Sequence, residues 1–263
     1  MGGAGIYLAS PTCWRVYEIM ASTRLDVPAG SKPVSRSLMQ GQIGYFGAGG
    51  RDIGREHFQI RQTGQRQRSL LAICELPDSR MVRSCQLEVD CDRQQTEAFV
   101  RVEEDNQWLG SARYEVGTKA IEVALFRPGA AAEHKQAEGG SSRFFGTHSL
   151  INDGWLPALT RGSGGEGGIT TFANLPTCSL RGDGGGVPDL LFCSGWFEPL
   201  EDRTVKVTAG SFECQGWRVG YGEHPPLDIW LSKDLQVMVL MDWPKISCRY
   251  ELLQFSNLLA DQH

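Results

Sequence analysis

The sequence predicts a mainly β fold: a single antiparallel meander forming a strongly curved sheet or barrel. Three observations lead there. Apolar and polar residues alternate with period two from about residue 43 onwards. Short polar turns such as Pro77-Asp78-Ser79, Glu104-Asp105-Asn106 and Ser232-Lys233-Asp234 separate successive runs. The strand–helix rhythm of a parallel α/β chain is missing. Short loops between neighbouring strands impose antiparallel pairing, and consecutive pairing makes a meander.

Taken in order, residues 1–42 read as a flexible extension that is rich in Pro, Gly and Ser after Met20. Met20-Ala21-Ser22-Thr23-Arg24 looks like a start of translation, so residues 1–19 are expected to lie upstream of the true start or to form a loose tail. The folded domain is then 43–257. Strands are expected over 53–61, 69–76, 82–90, 97–103, 107–116 and 119–126. A break follows, with flexible loops at 128–142, 161–168 and 181–186 and a short helical turn near 148–158 closing one end of the barrel. Further strands are expected over 169–173, 190–197, 203–209, 211–220, 227–231, 237–241 and 246–255. Glycines in or beside the strands, among them Gly44, Gly54 and Gly195, would allow the bulges and bends that a coiled sheet needs.

Composition bounds the function. A hydrophobic share of 41% against 22% charged residues is that of a globular chain, and 29.0 kDa is enough to bury a core without a structural metal. The net charge of −5 argues against a nucleic-acid partner, which needs a basic face to displace counterions from phosphate. No window reaches the roughly 18 unbroken apolar residues of a membrane helix. The N-terminus, interrupted by Pro11, Arg15 and Glu18, does not read as a signal peptide, so a cytoplasmic location is expected. The eight cysteines lack C-x-x-C spacing and mostly sit singly in apolar runs, as small buried hydrophobes in a reducing compartment do. The five histidines are never paired at ligand spacing, and no nucleotide, phosphate-loop or metal motif is present, so neither a cofactor nor a metal is expected.

Candidate site residues come from polarity on apolar faces. Arg83 alternates in phase with Cys85, Leu87 and Val89, and Glu75 follows Leu71 and Ile73. Phe99 and Arg101 share the face opposite Ala98, Val100 and Val102. An inward charge costs free energy unless it is paired or wetted, and in a hollow barrel it lines the cavity. The plainer alternative leaves both faces half exposed. His148 and Asp153 flank Leu150-Ile151-Asn152 and stand near Trp155; a turn that joins them would give an imidazole oriented by a carboxylate. Alternatively, Asp153 caps the turn and His148 is a packing residue. Tyr221 opens a segment in which Asp228 and Trp230 share one strand face, placing a carboxylate beside an indole as a ligand contact or at a rim.

Ile53-Gly54-Arg55-Glu56-His57-Phe58, Asp153-Gly154-Trp155 and Pro226-Leu227-Asp228-Ile229-Trp230-Leu231-Ser232-Lys233-Asp234 are three short stretches in which the chain resembles a group of bacterial wrapped-β-sheet proteins similar to calycin and lipocalin barrels. The resemblance implies a wrapped antiparallel sheet over roughly residues 43–255 and brings no catalytic residues with it.

The function expected from these features is that of a cofactor-independent lyase, dehydratase or isomerase acting on a hydrophobic or aromatic small molecule. His148 would be the base, oriented by Asp153, with Arg83 or Arg101 as the anion partner and Trp155, Asp228, Trp230, Tyr221, Phe99 and Glu75 contacting the ligand. The alternative is a non-catalytic carrier of a lipid- or isoprenoid-like ligand, for which the cavity would be almost wholly apolar. A filled barrel would instead mark an interaction module. Assembly as a homo-oligomer is compatible with all three.

Overall fold

The structure, a computed structural model, describes residues 37–63, 67–90, 92, 94–138, 144–159 and 168–258. Eight strands come first: β1 (Ser37–Phe46), β2 (Asp52–Thr63), β3 (Gln67–Leu76), β4 (Met81–Val89), β5 (Gln95–Glu104), β6 (Gln107–Val116), β7 (Ala120–Phe126) and β8 (Glu133–Glu138). The helix α1 (Leu150–Leu159) follows. The second run is β9 (Thr170–Thr177), β10 (Leu191–Val207), β11 (Gly210–Tyr221), β12 (Leu227–Ser232), β13 (Met238–Trp243) and β14 (Cys248–Asn257).

The 14 described strands form one antiparallel sheet in which consecutive strands pair, except β8 with β9, and β1 also pairs with β14. The sheet is a meander curled on itself and open between its edge strands, β8 and β9. The β1–β14 seam is tight at Gly41, where a Cβ would press on the carbonyl oxygen of Gln254 and lie 2.6 Å from the Phe58 ring. That glycine interrupts the apolar period, so the sequence reading began the domain at 43, whereas residues 37–42 are the first half of β1. The rest of the expected extension, residues 1–36, lies outside the described residues, as do 139–143 and most of the loop expected over 161–168.

Two other boundaries differ from expectation. The loop expected over 128–142 contains β8, whose Glu-His-Lys-Gln-Ala-Glu run lacks apolar alternation because it pairs on one side only. Charged side chains on such an edge discourage pairing with another chain. The strands expected over 190–197 and 203–209 are one strand, β10, with a register shift between Leu200 and Arg203 where the polar Glu201-Asp202 pair reads like a turn. The shift bends the β10–β11 hairpin back over the outer face of the sheet. Its tip reaches β14, where Ala209 N–H donates to Leu252 O (3.1 Å) and Thr208 N–H and Oγ–H donate to Glu251 Oε1 (2.8 Å each). Strands β12 and β13 are therefore buried on both faces.

The concave face carries the core: Ile43 and Tyr45 on β1, Phe58 and Ile60 on β2, Cys85 and Leu87 on β4, Val100 on β5, Tyr114 on β6, Ile229 on β12 and Leu252 on β14. Residues 144–149 and α1 fill the space inside. Phe145 stacks on Tyr114 with ring centroids 3.9 Å apart, and Gly146 bridges in parallel to Thr177 on the β9 edge. Gln95 joins this plug to β5 by donating to Asn152 Oδ1 (2.7 Å) and accepting from Phe145 N–H (2.6 Å). At the far side Gly154 lies against Leu231 and Met238, and Trp155 Nε1–H donates to Gln236 O (2.9 Å) in the β12–β13 turn.

Candidate functional site

The interior holds two polar groupings, one closed and one open. In the closed one Glu56, fully buried on β2, meets the N-terminus of α1. Its Oε1 accepts Ser149 Oγ–H (2.9 Å) and Ile151 N–H (3.4 Å), while Oε2 accepts Leu150 N–H (3.0 Å) and Tyr45 O–H (3.2 Å). A carboxylate there satisfies helix donors that have no intrahelical partner and faces the positive end of the helix dipole. Burial pushes its pKa up, while the Leu150 N–H and the charge of Arg83 pull against that shift.

Arg83, on β4, points into the same space and is 4% exposed. Its Nη1 donates to Asp183 O (2.7 Å) and its Nη2 to His148 O (2.5 Å). The guanidinium thus ties the 178–190 loop to the plug. Gly184, at φ +67°, leaves room for it, since a Cβ there would collide with Arg83 Nη1 and lie 2.7 Å from His148 Cβ.

His148 has a left-handed backbone, with φ 57°. Its Nε2 is 2.8 Å from Ser179 O, and because a carbonyl only accepts, that nitrogen carries the proton. Burial, with the charge of Arg83 added, lowers its pKa to about 4, so the ring is neutral. His148 and Asp153 share no hydrogen bond: the ring is oriented by Ser179 and Thr177 instead. The spacing from His148 to Asp153 crosses the start of α1, and one helical turn carries the carboxylate to another side.

The open grouping surrounds Asp153. This residue, on α1, lies near enough to Cys193 on β10, Tyr221 on β11 and Tyr250 on β14 for its carboxyl to act on them electrostatically. Phe172 lies across Gly195, stacked on Phe197 (4.9 Å between centroids) and 6.1 Å from Tyr221. Asp153, Phe172, Cys193, Tyr221 and Tyr250 are only half-buried, so part of each side chain stays accessible beside α1. No described residue hydrogen-bonds to the Asp153 carboxyl or the Tyr221 hydroxyl. Burial, reinforced by the charge of Glu56 and opposed by that of Arg83, pushes Asp153 up to about 7.

These two shifts have opposite consequences for stability. Asp153 binds its proton more tightly folded than unfolded, so its contribution is fully present at low pH and is lost as pH rises through about 7. His148 is neutral when folded and protonated when unfolded between about 4 and its ordinary value, so its contribution is lost as pH falls through that window. The slopes oppose one another below about pH 6.5. Asp153→Asn is expected to stabilise the protein by about 1–2 kcal/mol at pH 8 and by much less at pH 4.5, measured by urea unfolding.

Of the remaining sequence candidates, all but Trp155 lie outside the interior. Arg101 pairs with Glu103 (2.8 Å) and lies over Trp108 on the outer surface of β5, with Phe99 on the same face. Glu75 faces outward opposite Arg55, with their charged atoms 3.8 Å apart, because Leu70, Ala72 and Cys74 rather than Leu71 and Ile73 point into the core. Asp228 accepts a two-pronged contact from Arg218 (2.8 and 3.0 Å) on the outer surface. Trp230 is outward as well, covered by Arg203 at 4.0 Å from its ring and by the folded-back hairpin. Trp155 is a buried anchor of α1. Of the ten, Arg83, His148, Asp153, Trp155 and Tyr221 come together inside. Sequence reasoning missed Glu56 and Cys193; the signal for Glu56 was its place in phase with Phe58 and Ile60, the same signal that singled out Arg83.

Among the described residues no group of three or more His, Cys, Asp and Glu side chains is placed to hold a metal ion, and no helix is long and apolar enough to cross a membrane. The described cysteines are free, with Cys74, Cys85, Cys178 and Cys214 buried.

No family model matches the chain, and no curated protein matches it either. Among solved structures it is similar to a β-barrel-like protein of the domain of unknown function DUF1849 from Brucella abortus, at TM-score 0.51 and 9% identity over 85% of this chain and 98% of that one. A protein of YmcC-like fold from Bacteroides fragilis matches at TM-score 0.30 and 11% identity, over 86% of this chain and 97% of the other. The fold is that of a wrapped, barrel-like bacterial β protein. The three stretches behind the sequence resemblance meet inside it: Glu56 holds the start of α1, and Gly154 and Trp155 dock on β12, β13 and the turn between them. Neither structure ties the chain to the calycins or lipocalins.

Proposed function

We propose that the protein binds an amphipathic small molecule between α1 and the β9–β11 wall and holds it without transforming it. One observation carries this reading. Glu56, Arg83, Gln95, His148 and Asn152 are hydrogen-bonded inside the protein, whereas no described residue hydrogen-bonds to the half-buried Asp153 carboxyl or Tyr221 hydroxyl, which lie beside the Phe172 and Phe197 rings. A mostly apolar space with one or two convergent polar groups is the ordinary form of a small-molecule site. His148 and Asp153 share no hydrogen bond, and His148 and Arg83 are engaged with backbone carbonyls instead.

A second reading has a specific observation behind it. A carboxyl near pH 7 beside a phenol can move a proton in an apolar space, as a cofactor-independent isomerase requires. Native mass spectrometry of gently purified protein, compared with its denatured mass, tests the first reading. A released organic molecule is the expected result. A ligand-free mass, with no binding of medium-chain amines, alcohols or acids, would overturn it. Exchange of a bound ligand's acidic protons with solvent, lost in Asp153→Asn, would move the assignment to catalysis.

A further inference from the structure

The charges around the Asp153 space decide which amphipathic molecule fits it. From β2, Glu56 accepts four hydrogen bonds, as an ionised carboxylate does, and from β4 Arg83 supplies the opposing positive charge. The other titratable groups facing the space are Cys178 and Cys193 from the β9–β10 region, Tyr221 from β11 and Tyr250 from β14. Burial pushes all four up, so they are neutral near pH 7. His148, beyond Arg83, is neutral too and hydrogen-bonded to Ser179. With Glu56 and Arg83 offsetting each other, Asp153 sets the sign of the field. The rings of Phe172, Phe197 and Tyr221 lie on the same wall, and the faces of aromatic rings attract cations.

We infer that the molecule held there is a lipophilic cation, an amine or quaternary ammonium group on an apolar body, with its charge against the Asp153 carboxylate and the Phe172 and Tyr221 rings. This inference rests on the binding reading above and adds the chemical class of the ligand. It excludes a fatty acid, whose carboxylate would meet an uncompensated negative charge, and gives no advantage to a neutral alcohol of equal length.

The test uses three probes of one chain length on the full protein: decyltrimethylammonium, decanol and decanoate. The first keeps its charge at every pH, so any pH effect belongs to the protein. Titration followed by tryptophan fluorescence below micelle formation is expected to show the ammonium probe binding about tenfold more tightly than decanol at pH 8, as a partly desolvated charge contact implies. That preference is expected to disappear at pH 5.5, where Asp153 is protonated, and in Asp153→Asn at both pH values. Circular dichroism and cooperative urea unfolding of the variant certify that it is folded; the pH series on the wild-type protein stands independently of any variant. Equal binding of all three probes, preference for decanoate, or a preference that survives Asp153→Asn would overturn the cation assignment and leave the binding reading in place. Binding of none of the three overturns both.

Discussion

Replacing Glu56 with alanine is expected to lower folding stability by about 3–5 kcal/mol, measured as a shift in the urea midpoint at constant slope. Four donors lose their acceptor at once: the Ser149 and Tyr45 hydroxyls and the Leu150 and Ile151 amides. All sit where water does not replace the lost bond, and Arg83 is left as a buried charge without its counter-charge. Glu56→Gln is expected to lose about half as much, because one carbonyl oxygen can still accept at the helix start. The damage should be local. Hydrogen exchange is expected to speed up first at the amides of α1, because Glu56 attaches the start of that helix to the sheet.

The second large effect is expected at Gly41. Gly41→Val places a branched side chain against the carbonyl oxygen of Gln254 and the ring of Phe58, and neither the backbone nor a buried ring has room to withdraw. A loss of about 3 kcal/mol is expected from such overpacking. Unlike the Glu56 change, it acts on the β1–β14 seam, so cross-linking or fluorescence transfer between positions on β1 and β14 should report separation before α1 loosens. A variant as stable as wild type would show that the seam is not tightly packed at this point.

The sheet was legible because alternation and turn chemistry are local and survive in a single sequence. Most strands between β2 and β14 could be read this way. What failed was the assignment of faces. The alternation of Leu71 and Ile73 suggests an inner face, yet Leu70, Ala72 and Cys74 are inside, because both sets are apolar and only the partner strands decide between them. Trp230 likewise looked like part of a cavity because nothing in its neighbourhood announces that a hairpin bent at Leu200–Arg203 folds over it. Arg83 was legible, since a lone charge within an apolar run is conspicuous. Glu56 carried the same signal in a strand whose other inward positions include a glycine, which hid the period. The geometry of His148 was beyond the sequence, because its partner, the Ser179 carbonyl, comes from a loop 31 residues away.

Because β1 is completed by β14, the two strands that hold the sheet together lie as far apart in sequence as any two of the described strands. The first eight strands can form and pair as they emerge from a ribosome, but the free side of β1 waits for the final strand to be made. Contacts of such long sequence separation slow folding, and an unpaired strand edge is open to other chains while it waits. Truncation before β14 should therefore trap a half-sheet with a sticky border. The yield of folded protein should depend on how quickly translation delivers the ten residues of β14.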